Sequence, residues 1–332
     1  MNNYKFHFFI LCIGLFFSNA YANDIKLPKG LIKYEPLAMP DSIQDQFKSL
    51  GSSLVEPIMV DWLEEFQKYY PNITFDIKAG GSGVAIDALL NDKTTFAAMS
   101  RQINALEIGD FIEKKGYRPT ELRVFVDAVR VIVNRHNPIS KLSLTQLDSI
   151  FSSSHECGGA SYSINTWEEF GWVPKAGALN PIERHIFFEK AGIRYFFRKQ
   201  ALCGGKYKAN SNEQATTFAE MTKAVGKSLT AIGFVEMGPM DYSVKLQAIA
   251  KYGFYPYYLP TQENISTGKY PLSRYIYVYV DKPPRYKMPL LLQEFFKFVF
   301  SQQGQQIVVN HKLIPLPVRQ VKEEIQKLLK GR

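Results

Sequence analysis

Apolar positions along this chain recur at two alternating spacings. Between residues 54 and 70, Val55, Ile58, Met59, Trp62, Leu63 and Phe66 fall on one face at helical spacing, and Pro71 ends the pattern. Ser52 and Ser53 precede it as candidate N-caps. The next run, Ile73-Thr74-Phe75-Asp76-Ile77-Lys78, alternates apolar and polar side chains like a half-buried strand. A glycine-rich turn, Ala79-Gly80-Gly81-Ser82-Gly83, then feeds a short helical pattern carried by Val84, Ile86, Leu89 and Leu90. A further strand, Thr95-Phe96-Ala97-Ala98-Met99, ends at Ser100-Arg101. Beyond it the pattern predicts helices over 107–115, 144–151, 193–202, 213–225, 289–301 and 318–329. Strands are predicted over 128–133, 182–188, 231–235 and 275–280. Strand–helix alternation of this kind indicates an α/β architecture with mostly parallel sheets and flanking helices. Two lobes joined by chain crossings fit it better than two consecutive domains.

The glycine turn is the first candidate for chemistry. A turn that opens a helix presents unpaired backbone N–H groups at the positive end of the helix dipole. That arrangement favours an anion, and Ser82 adds a hydroxyl. Taken alone it is better read as a capped strand-to-helix turn. Serine also stands at two strand ends and one helix start, and loops at the carboxyl ends of strands converge on the ligand crevice of open α/β sheets.

Composition narrows the setting. With 332 residues, 46% of them hydrophobic, the chain can bury a sizeable core of about two domains. The net charge of +9 is spread among acids with no dense basic run, which argues against a nucleic-acid role. Residues 1–22 read as a secretory signal: Lys5, an apolar run over 6–17, and a small-x-small site at Ala20-Tyr21-Ala22, cut after Ala22. Leu11 before Cys12 does not suit a lipid-attachment site, and no later stretch is long and apolar enough to span a bilayer. The mature chain is therefore expected to be soluble and either periplasmic or secreted. It keeps two cysteines, Cys157 and Cys203, both before Gly-Gly or in turn-rich sequence, and a disulfide is favoured over a metal site shared with His155. His136, His155, His185 and His311 are scattered, so neither a catalytic triad nor a metal-ligand spacing stands out, and no enzyme activity or cofactor is expected.

Several motifs in order carry a resemblance. They begin with Gly51-Ser52-Ser53-Leu54, Trp62…Phe66…Tyr70-Pro71, Gly80-Gly81-Ser82-Gly83 and Phe96-Ala97-Ala98-Met99-Ser100-Arg101. They continue through Val131-Ile132-Val133-Asn134, Thr166-Trp167, Gly204-Gly205-Lys206-Tyr207 and Ala231-Ile232-Gly233-Phe234. They close with Tyr270-Pro271-Leu272-Ser273-Arg274 and Ile314-Pro315-Leu316-Pro317. The ordered set resembles the phosphate-binding proteins of bacterial ABC transporters, of the type II periplasmic binding fold. The resemblance implies two lobes, residues 23–126 with 272–332 and residues 127–271, joined by two hinge crossings near 125–128 and 270–274. It implies a monomer that holds phosphate or a related oxyanion in the cleft and delivers it to an inner-membrane ABC permease. The ligand positions that match are Ser53, Leu54, Ser82, Gly83, Ser100 and Arg101 on the first lobe and Gly192 on the second.

The second lobe departs from the family pattern. Where relatives carry an arginine, three residues and then Ser-Gly-Thr, this chain has Phe187 and Ala191-Gly192-Ile193. A charge-assisted hydrogen bond contributes roughly 1.5–3 kcal/mol and a neutral one about 1 kcal/mol, so the change implies weaker phosphate binding or altered selectivity. Selectivity lost or changed would make the protein a sensor or surface interaction protein of the same fold. Arg184, His185 and Arg194 are the cations close enough in sequence to substitute.

Overall fold

The computed structural model describes residues 25–40, 45–158, 162–173, 180–189, 191–215, 217–238 and 240–329. The signal-peptide reading of residues 1–22, with Cys12, lies outside them. Among the described residues no helix is long and apolar enough to cross a membrane.

The first layer of structure follows the expected alternation. Strand β1 (Asp45–Gly51), helix α1 (Glu56–Gln67), β2 (Ile73–Ala79), α2 (Ser82–Leu90), β3 (Phe96–Met99), α3 (Ala105–Lys115) and β4 (Thr120–Ala128) come first. The chain then runs through β5 (Arg130–Asn134), β6 (Lys141–Ser143), α4 (Leu144–Phe151), β7 (Glu183–Phe187), α5 (Gly192–Ala201) and β8 (Asn212–Ala215). Next are α6 (Phe218–Lys227), β9 (Ala231–Val235), β10 (Val244–Leu246), β11 (Ala248–Ala250) and α7 (Gln262–Ser266). It returns through β12 (Ser273–Val280), α8 (Leu290–Val299), α9 (Gln302–Asn310) and α10 (Val318–Leu329).

β1 and β2 pair in parallel, and Thr95 N–H to Lys48 O (2.8 Å) and Ser52 N–H to Ala98 O (2.9 Å) tie β1 alongside β3. β12 then lies between β3 and β4, antiparallel to both. A second sheet has the order β10-β5-β9-β7-β8. The sheets are thus mixed, not mostly parallel. The reason is the return of the chain: it leaves the first lobe along β4 and comes back beside it along β12, so those two strands must oppose. In the second sheet β5 likewise opposes both of its neighbours.

Each lobe has an aromatic core. Phe66, Phe96 and Phe295 meet beneath α1 and α8, with the ring centroids of Phe66 and Phe295 5.4 Å apart. Trp62, fully buried, donates its indole N–H to Gly304 O at 2.7 Å and so fixes α1 to α9. In the second lobe Phe197 stacks on Phe234 with centroids 4.0 Å apart, and Phe151 and Phe187 pack around that pair.

Several element boundaries moved for local reasons. The strand expected over 128–133 is two strands, changing sheet at Val129, whose N–H bonds to Leu272 O at 2.9 Å. The helix expected from residue 213 begins only at Phe218, because Asn212–Ala215 pairs with β7 and Thr217 caps α6 through Glu220 N–H at 3.2 Å. The helix expected over 289–301 is cut by Ser301, whose hydroxyl caps α9.

Cys157 and Cys203 form a disulfide with Cα atoms 5.1 Å apart, closing a sequence separation of 46 residues. It ties the loop after α4 to the end of α5. Replacing both cysteines with serine should lower stability by about 2–4 kcal/mol through the loosened unfolded chain. Urea unfolding of oxidised wild type against Cys157→Ser/Cys203→Ser measures this, and equal midpoints would refute it.

Candidate functional site: a cleft at three strand ends

The carboxyl ends of β1, β2 and β3 are stitched into one unit by backbone. Gly51 O accepts from both Gly80 N–H and Gly81 N–H at 2.8 Å. Gly51 itself must be glycine, since a Cβ would collide with Ala98 O. Gly81 is the N-cap of α2 at φ 86°, a left-handed conformation that side chains resist. Two N–H groups of the glycine turn are therefore already used. What remains for a ligand is the first turn of α2, at Ser82 and Gly83, where a helix has no internal partners for its N–H groups.

Ser82 and Ser100 are brought together. Ser82 Oγ accepts from Ser100 N–H at 3.0 Å, and the two hydroxyls are 3.2 Å apart. Both side chains are buried. The second lobe reaches this pair through Gly192, the first residue of α5: a Cβ there would stand 2.6 Å from Ser100 Oγ and 4.0 Å from Ser82 Oγ. Ser82, Ser100 and Gly192 thus converge.

Ser53 and Leu54 sit on the adjoining loop. Ser52 is the structural member of that loop, buried, with its hydroxyl accepting from Leu54 N–H at 3.3 Å. Ser53 is left exposed and, with Leu54, Pro57 and Ile58, lines a shallow cavity of about 230 Å³. Across that cavity stand Glu236 and Met237, which follow β9 of the second lobe. Sequence reasoning missed both; the available signal was that Glu236 directly follows a strand's carboxyl end.

Arg101 has a settled partner. It makes a bidentate pair with Glu107 at 2.6 and 2.8 Å, and its guanidinium lies 5.4 Å from the ring centroid of Tyr195 on α5. Glu107 also closes the capping box of α3 by accepting from Asn104 N–H at 2.8 Å. Arg101 therefore joins the two lobes by stacking on an aromatic face.

The cations near the altered second-lobe site are also engaged. Phe187 and Ile193 are core side chains, each 3% exposed. Arg184 is buried, and its guanidinium donates to the carbonyls of Ile150, Ile182 and Ile164 and to Asn165 Oδ1. Burial without a counter-charge lowers it to about 10. Arg194 donates to Phe187 O at 2.9 Å and pairs with Glu213 at 3.0 Å. His185 is lowered by burial, which outweighs Glu183 at 3.0 Å. None of the three is positioned as a replacement for the family arginine.

Where the lobes meet, Arg274 of β12 bonds Asp127 of β4 at 2.7 Å and Glu236 at 3.3 Å, beneath the ring of Phe196 at 5.1 Å. Burial raises the Glu236 carboxyl above the ordinary range, against the lowering effect of Arg274. Next to it, Arg130 donates to Glu236 O and Gly238 O and is lowered to about 10 by burial. The site as a whole offers hydroxyls and helix-start N–H groups for an oxyanion. Among the described residues there is no group of three His, Cys, Asp or Glu that could hold a metal ion.

Comparison with known proteins agrees with this geometry. A family model for the PBP superfamily domain matches residues 38–303. A phosphate-binding protein, PstS, of Pseudomonas aeruginosa is 35% identical over 286 residues, covering 86% of this chain and 88% of that protein. The structure of an ABC-type phosphate transport receptor from Vibrio cholerae superposes with a TM-score of 0.64 at 21% identity, over 81% of this chain and 99% of that one. A possible phosphate-binding protein from Planctomyces limnophilus gives a TM-score of 0.62 at 23% identity, over 87% and 99% of the two chains. With its two α/β lobes, its joined strand-end loops and a relative of this closeness along most of its length, the chain belongs to the PBP superfamily, in the family of the PstS phosphate-binding proteins.

Proposed function

We propose that this chain is an exported periplasmic solute-binding protein that takes phosphate or a related oxyanion into its cleft and hands it to an inner-membrane ABC permease. The observation that carries the reading is the meeting of Ser82, Ser100 and Gly192 at two helix starts from different lobes. The relatives' names, phosphate-binding protein and phosphate transport receptor, support the same ligand class. The protein works as a monomer and by binding, without catalysis or cofactor. Its lobes are residues 23–126 with 272–332 and residues 127–271, after removal of a signal cut behind Ala22. Closure brings the lobes together around the ligand, with Ser53, Leu54, Ser82, Gly83 and Ser100 on one side and Gly192 on the other. Arg101 steadies the closed form on Tyr195.

A second reading, altered selectivity, is favoured by the engagement of Arg184 and Arg194 inside the second lobe. With no free guanidinium opposite Ser100, phosphate binds more weakly here than in relatives that keep Arg and Ser-Gly-Thr. Placing arginine at position 187 does not restore the site simply, because Phe187 packs against Phe234 in the core. An unpaired cation there would destabilise the lobe.

Titration calorimetry against phosphate, sulfate and other oxyanions tests the function. Binding of none of them would overturn it. Within that assay Ser82→Ala should weaken the bound oxyanion about fivefold, the loss of one neutral hydrogen bond. An unchanged affinity would mean that the glycine turn is only a turn.

Glu236 makes the second measurable claim. As a carboxylate across the cavity from Ser53 it repels an anion, and protonation removes the repulsion. Because its carboxyl is raised, affinity for sulfate, whose own charge is fixed, should increase as pH falls, starting from above the ordinary carboxylate range. Glu236→Gln, which leaves Arg274 paired with Asp127, should bind several-fold more tightly than the ionised wild type and lose that part of the pH dependence. Parallel pH profiles for wild type and Glu236→Gln would exclude this role.

A further inference from the structure

The most exposed large apolar side chain among the described residues is Phe254, at 87%. It sits at the tip of a loop over residues 250–257 that is closed by a reciprocal pair of backbone bonds, Ile249 N–H to Tyr258 O at 2.9 Å and Tyr258 N–H to Ile249 O at 3.0 Å. Residues 251–256 are all exposed. Tyr252 (46%) and Tyr255 (55%) flank the tip, with Tyr255 5.3 Å from Phe254 and 6.1 Å from Tyr252 between ring centroids. The loop is held in shape from within: Tyr255 N–H bonds to Tyr252 O at 3.2 Å, and Tyr257 donates its hydroxyl to Gly253 O at 3.0 Å. The aromatic tip is therefore presented by a braced hairpin.

Two ammonium groups stand beside the aromatic residues of this loop. Lys251 lies 5.5 Å from the Tyr252 ring centroid, and Lys141, on β6, lies 5.2 Å from that of Tyr257. β6 and β11 are paired, so the two segments run together. The loop and its flanks, residues 242–262, contain no aspartate or glutamate and carry Lys245 and Lys251.

We propose that this loop is a peripheral docking element for an anionic phospholipid surface. The order from the tip inwards is an apolar ring, then phenolic rings, then ammonium groups. That is the order of environments met on leaving a bilayer, from acyl chains through the interface to the phosphate layer. Lysines at such a surface each strengthen binding to anionic lipid about fivefold. The rings are tilted by 44° and 62° to one another, so they do not make the flat platform that would stack on a sugar or a base. The inference is independent of which oxyanion fills the cleft.

The test is sedimentation of the purified protein with phosphatidylglycerol-containing vesicles and with pure phosphatidylcholine vesicles, at low and high salt. Binding should be confined to the anionic vesicles and should fall with salt. Phe254→Ser with Tyr255→Ser should lose about tenfold in affinity with an unchanged thermal midpoint, since the tip packs against nothing. Lys141→Ala and Lys251→Ala should each lose a few-fold. Phe254→Trp should add an emission that shifts to the blue on adding anionic vesicles. Equal sedimentation of wild type and the double variant, an unshifted tryptophan, or binding to native membranes without binding to lipid vesicles would overturn the proposal; the last result would assign the loop to a protein partner.

Discussion

The structure turns on a buried ion pair at the place where the chain crosses between lobes. Asp127 leaves the first lobe on β4 and Arg274 re-enters it on β12, and the two strands are paired in register at this point. The guanidinium also reaches Glu236, at the end of the β9 strand of the second lobe. Desolvating Asp127 and Arg274 is costly, and a buried pair of this kind adds little net stability over apolar packing. What it adds is position. Losing one partner leaves an unpaired charge in the interior, so the outgoing strand, the returning strand and the second sheet are held to one mutual arrangement. The neighbouring bonds from Val129 N–H to Leu272 O and from Tyr270 hydroxyl to Val129 O, at 2.9 and 3.0 Å, reinforce the same point.

That constraint explains the character of the cleft. With the crossings fixed, the strand-end loops of the first lobe face the start of α5 and the end of β9. Ser100 meets Gly192, Arg101 meets Tyr195, and the Ser53 loop faces Glu236. The glycine turn gives two of its N–H groups to Gly51, and the nearby arginines give theirs to carbonyls and carboxylates. Phe187 and Ile193, beside the start of α5, are apolar and buried, and a carboxylate borders the cavity. Under the proposed function, selection among oxyanions would rest on hydroxyls and helix starts more than on a fixed counter-charge.

Much of this was legible in the sequence, and the parts that were not share a cause. Helices with large apolar faces, such as that of Ile58, Trp62 and Phe66, declared themselves. So did the serines at strand ends and the cysteine pair. β1 did not, because its inward positions are Phe47, Ser49 and Gly51, only one of which is large and apolar. The change of sheet at Val129 was hidden because the end of β4 and the start of β5 are buried alike and no turn residue separates them. Arg184 read as a cation available to a ligand, since sequence records a guanidinium but not the three carbonyls it faces. Glu236 was invisible as a cleft residue because its meaning comes from the loop it opposes, more than 180 residues away in the chain.

Gly51 O, with both of its lone pairs engaged by Gly80 and Gly81, also bears on how such a site can diverge. The first two ligand loops share a single acceptor atom, so neither can lengthen or shorten without releasing the other. An insertion or deletion in either loop would have to break bonds that hold the other. Change here is left to substitution of individual side chains within a backbone of fixed length.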